Sequence, residues 1–123
     1  GIVIASYLMS SEYSIKFLSV FGDLLKSMHP RALLYPGGGS YIYAYLADGK
    51  IDAYIMFDEP RSEIDPGFPI AKRAGCEIVS VSPDGNFENY KFIPGKQHEK
   101  IDLLIAASTP KLRDKIIKYY IGH

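Results

Sequence analysis

Short aliphatic and β-branched runs alternate with segments of helical period along the chain, and this alternation constrains the fold more than any other feature. Ile2 to Leu8 reads as a buried strand. From Tyr13 to Met28 the residues Phe17, Phe21, Leu24 and Met28, flanked by Leu18 and Leu25, recur at helical spacing. Glu12, Lys16, Asp23 and Lys26 take the other face, Ser10-Ser11 offers an N-cap, and Pro30 ends the helix. Arg31 to Tyr35 reads as a second strand, Tyr41 to Ala47 as a helix stopped by Asp48-Gly49, and Asp52 to Phe57 as a third strand. Within Ile64 to Ala74, Pro66, Gly67 and Pro69 confine helix to the later part. Cys76 to Val81 is a fourth strand, closed by the turn Ser82-Pro83-Asp84-Gly85, and a polar, exposed excursion follows over Tyr90 to Lys100. Asp102 to Ala107 is a fifth strand. Thr109-Pro110 then supplies the cap and first position of a last helix that turns Leu112, Ile116 and Tyr119 inward. The expectation is a single α/β domain over residues 1–123: three layers, a mostly parallel or mixed five-stranded sheet, and helices on both faces.

Composition removes several function classes. Fourteen basic residues balance fourteen acidic ones without long blocks of either sign, which argues against nucleic acid or an anionic membrane as partner. One cysteine, Cys76, precludes an internal disulfide and suits a reducing, cytoplasmic setting. "GIVIASYLMS" is apolar but lacks the charged start of a signal peptide. Because the chain enters a strand pattern at its first residues, it reads as a portion of something longer.

Two stretches carry candidate chemistry. Gly37-Gly38-Gly39 lies between a strand end and a helix start, where free backbone N–H groups favour an anion and a ligand can approach closely. A tight, closely packed turn is the commoner explanation of such glycines. No Gly-Lys-Ser/Thr follows and the dinucleotide spacing G-x-G-x-x-G is missing, so neither nucleotide signature applies. The second stretch, "FDEPRSEIDPG", sets Asp58, Glu59, Glu63 and Asp65 on a loop beyond a strand. Such oxygens suit a hard cation such as Mg²⁺, while a solvated acidic loop is the plainer reading. Both stretches flank one helix–strand unit, and ligands of open α/β sheets sit beyond strand ends.

"GGGSYIYAYLADGKIDAYI", with Leu46 to Tyr54 the closest part, resembles the C-terminal domain of inositol-monophosphatase-like phosphatases. "LLIAASTPKLRDKI" resembles their last strand and helix, and Ala74-Gly75 and Asp84-Gly85 fall at matching turns. The resemblance spans essentially the whole chain but only the C-terminal half of such an enzyme. It implies a metal-ligand role for Glu63, where the family has aspartate, and substrate contact by Gly37, Gly38 and Gly39 in an ungapped register. Reading Gly39-Ser40 as the family's Gly-Ser needs a two-residue deletion and brings in Ser40. Met56 stands where the family has the acidic residue that holds inositol hydroxyls, Ser62 where it has tryptophan, and Arg73 where it has glutamate.

The implied chemistry uses Mg²⁺ shared with an N-terminal domain that carries most of the ligands, including a Glu-Glu pair and an Asp-Pro-x-Asp-Gly-Thr segment. Neither string occurs in this chain, which is therefore expected to be inactive alone. The implied partners are a small phosphorylated sugar or polyol and that N-terminal domain, with a homodimer as a further expectation. Other chemistry is thin: Cys76 reads as structural, and His29, His98 and His123 have no zinc spacing. Tyr41, Tyr43 and Tyr45 alternate within a helical segment and so face different partners. Two hypotheses stand: the C-terminal half of a Mg²⁺-dependent sugar or polyol phosphatase, and a non-catalytic α/β module that binds a ligand or partner.

Overall fold

A computed structural model describes residues 2–28 and 32–122; Gly1, His29, Pro30, Arg31 and His123 lie outside the described residues. Six strands form one sheet in the order β2-β1-β3-β6-β4-β5. In chain order the elements are β1 (Ile2–Ala5), α1 (Ser11–Met28), β2 (Ala32–Tyr35), α2 (Ile42–Ala47), β3 (Ala53–Pro60), α3 (Arg61–Ile64), α4 (Phe68–Arg73), β4 (Glu77–Val81), β5 (Phe87–Asn89), β6 (Lys100–Ala107) and α5 (Pro110–Ile121). The α/β layering is as expected from the alternating periods, with one more strand.

The sheet is mixed. Ladders β1–β2 and β1–β3 are parallel, whereas β3–β6, β4–β6 and β4–β5 are antiparallel, so the mostly parallel alternative does not hold. The reason lies in the connections. A tight hairpin turns β5 back beside β4, and the excursion over Tyr90 to Glu99 then crosses β4 to start β6 in the same direction as β5. β6 thus lies between β3 and β4, opposed to both. The extra strand β5 is the second arm of the hairpin closed at Ser82–Gly85, where the Gly85 N–H donates to the Ser82 carbonyl at 2.9 Å.

Alternation along the strands fills two cores. Ala53, Ile55 and Phe57 of β3 and Leu103, Ile105 and Ala107 of β6 meet Phe17, Phe21, Leu24 and Met28 of α1 and Leu112, Ile116 and Ile117 of α5. On the other face, Ala5, Tyr54, Leu104 and Ala106 meet Ile42, Tyr43 and Leu46 of α2, Ile64 of α3 and Ala71 of α4. The expected caps form: Ser10 Oγ accepts from the Tyr13 N–H at 3.0 Å, and Thr109 Oγ1 from the Leu112 N–H at 3.1 Å. Tyr119 is only half-buried, and Ile117 takes the inward position beside Ile116.

Strand ends differ from the periodicity. β1 stops at Ala5; the Ser6 N–H still donates to the Tyr35 carbonyl at 3.1 Å, and its buried Oγ donates to the Ile55 carbonyl at 2.6 Å. β3 runs on to Pro60, through Asp58 at φ 55°. Within Ile64 to Ala74 the helix is confined to the later part as expected, α4 over Phe68–Arg73, and a short α3 over Arg61–Ile64 precedes it, set off by Asp65-Pro66-Gly67. There Gly67 packs so closely on α2 that a Cβ would come within 2.6 Å of Tyr43 Cβ and 2.7 Å of the Ser40 carbonyl.

Candidate functional site

β2, β1 and β3 run parallel, and an open cavity of about 340 Å³ lies beyond the carboxyl ends of β1 and β2 and alongside β3, which runs on past them. Its walls are Tyr7 after β1, Gly38 and Gly39 after β2, and Tyr54, Met56, Glu59, Pro60 and Glu63 from β3 and α3. Five residues singled out in the sequence, Gly38, Gly39, Met56, Glu59 and Glu63, thus share one cavity. Gly37 and Ser40 do not line it.

Each glycine answers a separate demand. A Cβ on Gly37 would run into the ring of Tyr35 and the hydroxyl of Tyr41. One on Gly38 would lie 2.8 Å from Tyr7 Cβ and 2.9 Å from the Tyr54 hydroxyl. Gly39 adopts φ +100°, a conformation that side-chain-bearing residues rarely take. Its N–H donates to the Tyr54 hydroxyl at 3.3 Å, and its carbonyl accepts from the Ile42 N–H at 3.1 Å to start α2. Ser40 is exposed on the outer side of this turn. The six-residue α2 is too short to add much dipole at the turn, so the anion argument made from the sequence weakens.

The acidic stretch separates into four environments. Asp58 pairs with Lys16 at 3.3 Å on the α1 side, and Asp65 accepts a hydrogen bond from the Tyr90 hydroxyl. Glu63 is exposed on the cavity wall, its Oε2 3.8 Å from where a Gly39 Cβ would stand. Glu59, expected on a solvated loop, is instead only 3% exposed. It accepts from the Tyr43 hydroxyl at 2.9 Å and the Tyr54 hydroxyl at 2.6 Å. Burial drives its pKa up to about 7 against the lowering effect of these two bonds, and the Glu63 charge adds to the rise. The same burial and the Glu59 charge push both tyrosines upward, so they remain donors.

The geometry of Asp58 explains how Glu59 gets there. Phe57 and Glu59 would share a face in a regular strand. Phe57 packs with α1, however, while Glu59 meets tyrosines of the opposite core. The left-handed Asp58 turns the strand over between them. Ile101 and Leu103 on the paired strand change faces at the same level. Released from the regular pattern, the Phe57 N–H donates to the Tyr13 hydroxyl at 3.1 Å.

Arg61, which the sequence reading passed over, fixes the entry to α3. Its Nε donates to Glu99 Oε1 and its Nη1 to the Lys91 carbonyl, each at 3.0 Å, and its guanidinium lies 5.1 Å from the Tyr90 ring centre. The Arg61 and Ser62 N–H groups donate to the carbonyls of Glu99 and Gln97. The excursion over Tyr90 to Lys100 is therefore anchored through a buried Tyr90, although most of it is exposed. A cationic residue flanked by Pro60 and a helix start was the available signal. Ser62 and Arg73 are exposed, and Cys76 is half-buried with its thiol pushed up by burial and by Glu77.

Among the described residues no three His, Cys, Asp or Glu side chains gather closely enough to hold a metal ion. Glu63 fits as one oxygen donor on the cavity wall, whereas Glu59 has a tyrosine proton on each oxygen.

No family model and no curated protein matches the sequence. Solved structures do match. An inositol monophosphatase–fructose 1,6-bisphosphatase superposes with TM-score 0.68 at 22% identity, over 97% of this chain and 42% of its own. A hypothetical protein from Pyrococcus horikoshii with similarities to inositol-1 monophosphatase gives 0.62 and 21%, over 95% and 41%. CysQ from Bacteroides thetaiotaomicron, a bacterial member of the inositol monophosphatase family, gives 0.61 and 24%, over 88% and 37%. The chain has the fold of these inositol-monophosphatase-like structures, over about two-fifths of their length.

Proposed function

We propose that this chain forms the C-terminal part of a Mg²⁺-dependent phosphatase for a small sugar or polyol phosphate, working in a reducing, cytoplasmic setting. An N-terminal part supplies the remaining metal ligands. The observation that carries this reading is the convergence of Gly38, Gly39, Met56 and Glu63, from separate segments, on one cavity beyond the carboxyl ends of β1 and β2 and beside β3. Glu63 would hold Mg²⁺ through a single carboxylate, a mode common for this ion when phosphate and water complete its shell. When bound, the ion activates water and neutralises phosphate charge. Gly38, packed against Tyr7 and Tyr54, lends its backbone to the cavity wall, and Met56 offers a ligand an apolar surface.

The test is Glu63→Gln in a protein that carries both parts. Mg²⁺ affinity or turnover should fall at least about tenfold, while stability changes by no more than about 0.5 kcal/mol, the usual range for exposed positions. Unchanged Mg²⁺ affinity and turnover would overturn the assignment.

Met56 favours a second reading, a non-catalytic module that binds a ligand or partner chain in the same cavity. An apolar side chain there cannot accept the hydroxyl hydrogen bonds that a carboxylate would. This reading predicts ligand binding with no turnover even when both parts are joined.

A further inference from the structure

Burying a carboxyl group on the wall of a cavity is costly unless hydrogen bonds satisfy it. Glu59 reaches that wall only because Asp58 takes a left-handed conformation, and backbone strain of this kind concentrates where a side chain must be aimed. A relay of hydrogen bonds holds it there: the Gly39 N–H donates to the Tyr54 hydroxyl, which donates to Glu59 Oε2, while the Tyr43 hydroxyl donates to Oε1. Tyr43 and Tyr54 also pack edge to face, with ring centres 5.6 Å apart, which fixes both hydroxyls. A carboxylate has about four acceptor sites, and the tyrosines occupy two. Above about pH 7, where Glu59 is ionised, the remaining ones accept from a ligand hydroxyl.

We propose that Glu59, aimed by Asp58 and positioned by Tyr43 and Tyr54, is the group in this cavity that binds the hydroxyls of a polyol ligand. Met56 cannot do so, and the exposed Glu63 is set aside for the cation in the proposed function, on which the choice of a polyol rests. The phosphate end of the ligand then lies toward Glu63 and Gly39, and the hydroxyl-bearing end toward Glu59.

Unphosphorylated sorbitol and myo-inositol, added without Mg²⁺ or phosphate to the ¹⁵N-labelled chain, test this separately from catalysis. The amides of Gly38, Gly39 and Glu63 should shift. Glu59→Gln should weaken the response about tenfold or more, the scale of losing a charge-assisted hydrogen bond. Tyr54→Phe, which keeps the carboxylate but frees one side of it, should weaken it less; this variant carries the test if Glu59→Gln does not fold. No shift at these amides in the wild-type chain, or an equal response in the variants, would overturn the inference. A polyol response that depends on Glu59 supports it even where Glu63→Gln leaves Mg²⁺ binding unchanged, a result that would count only against the phosphatase reading.

Discussion

Glu59 keeps its proton to about pH 7 because burial outweighs its two tyrosine hydrogen bonds, against an ordinary value of 4.5. Between those two values the folded state binds this proton more tightly than the unfolded chain does. Stability from this group is therefore full at low pH, falls as pH rises through the window, and levels off above it. The difference in unfolding free energy between wild type and Glu59→Gln should accordingly drop, by on the order of 3 kcal/mol, from about pH 4.5 to pH 8. Chemical denaturation at several pH values measures it; a flat difference would mean that Glu59 ionises normally. Asp58 makes a second prediction at this scale. A non-glycine residue in the left-handed region costs roughly 1–2 kcal/mol, less for aspartate, and its exposed ion pair with Lys16 returns little. Asp58→Gly should unfold no more easily than wild type, and Asp58→Val should lose about 1–3 kcal/mol. If Asp58→Val were as stable as wild type, the left-handed turn could not be what aims Glu59.

Among the elements, β1 and β3 are joined by Asp52 as well as by their ladder. The Val3 N–H donates to Asp52 Oδ2 and the Asp52 N–H to the Val3 carbonyl, both at 2.8 Å, while the Asp52 carbonyl accepts from Ser108. Asp52→Ala leaves the Val3 N–H without its partner and should cost about 1–3 kcal/mol, read as a lower denaturation midpoint with an unchanged slope. The elements themselves were legible in the sequence. Phe17, Phe21, Leu24 and Met28 mark a buried helix face, and Thr109-Pro110 marks a helix start, because both signals are local. Strand direction was legible only as far as the mixed alternative, because it depends on how β6 returns across the sheet between two strands distant in sequence. The site was legible in part for the same reason. Glycines and an acidic loop can be placed beyond strand ends by order alone, which brought Gly38 and Gly39 forward, while Met56 and the metal role of Glu63 came from the family resemblance. The burial of Glu59 depends on one backbone angle at Asp58 and on two tyrosines from other segments, and no local pattern shows that.

At the scale of the whole molecule, β2 and β1 point their carboxyl ends at one cavity that β3 flanks, and β6, running opposite, carries the chain away from it to α5. Both faces of the sheet are filled from within the chain, so the cavity walls stand on rigid strands and not on loops alone. What the cavity offers a cation is one exposed carboxylate. Mg²⁺ gives up its water reluctantly and demands near-octahedral oxygen geometry, so a single carboxylate leaves it close to fully hydrated. The 123-residue chain by itself should therefore bind Mg²⁺ only weakly, with Glu63 as the residue that responds, and should hydrolyse no sugar phosphate above a metal-free control. Calorimetry with MgCl₂ and phosphate-release assays on the purified chain measure both. Turnover by this chain alone would mean that the catalytic ligands are already within it, and the proposal of a centre shared with an N-terminal part would have to be abandoned.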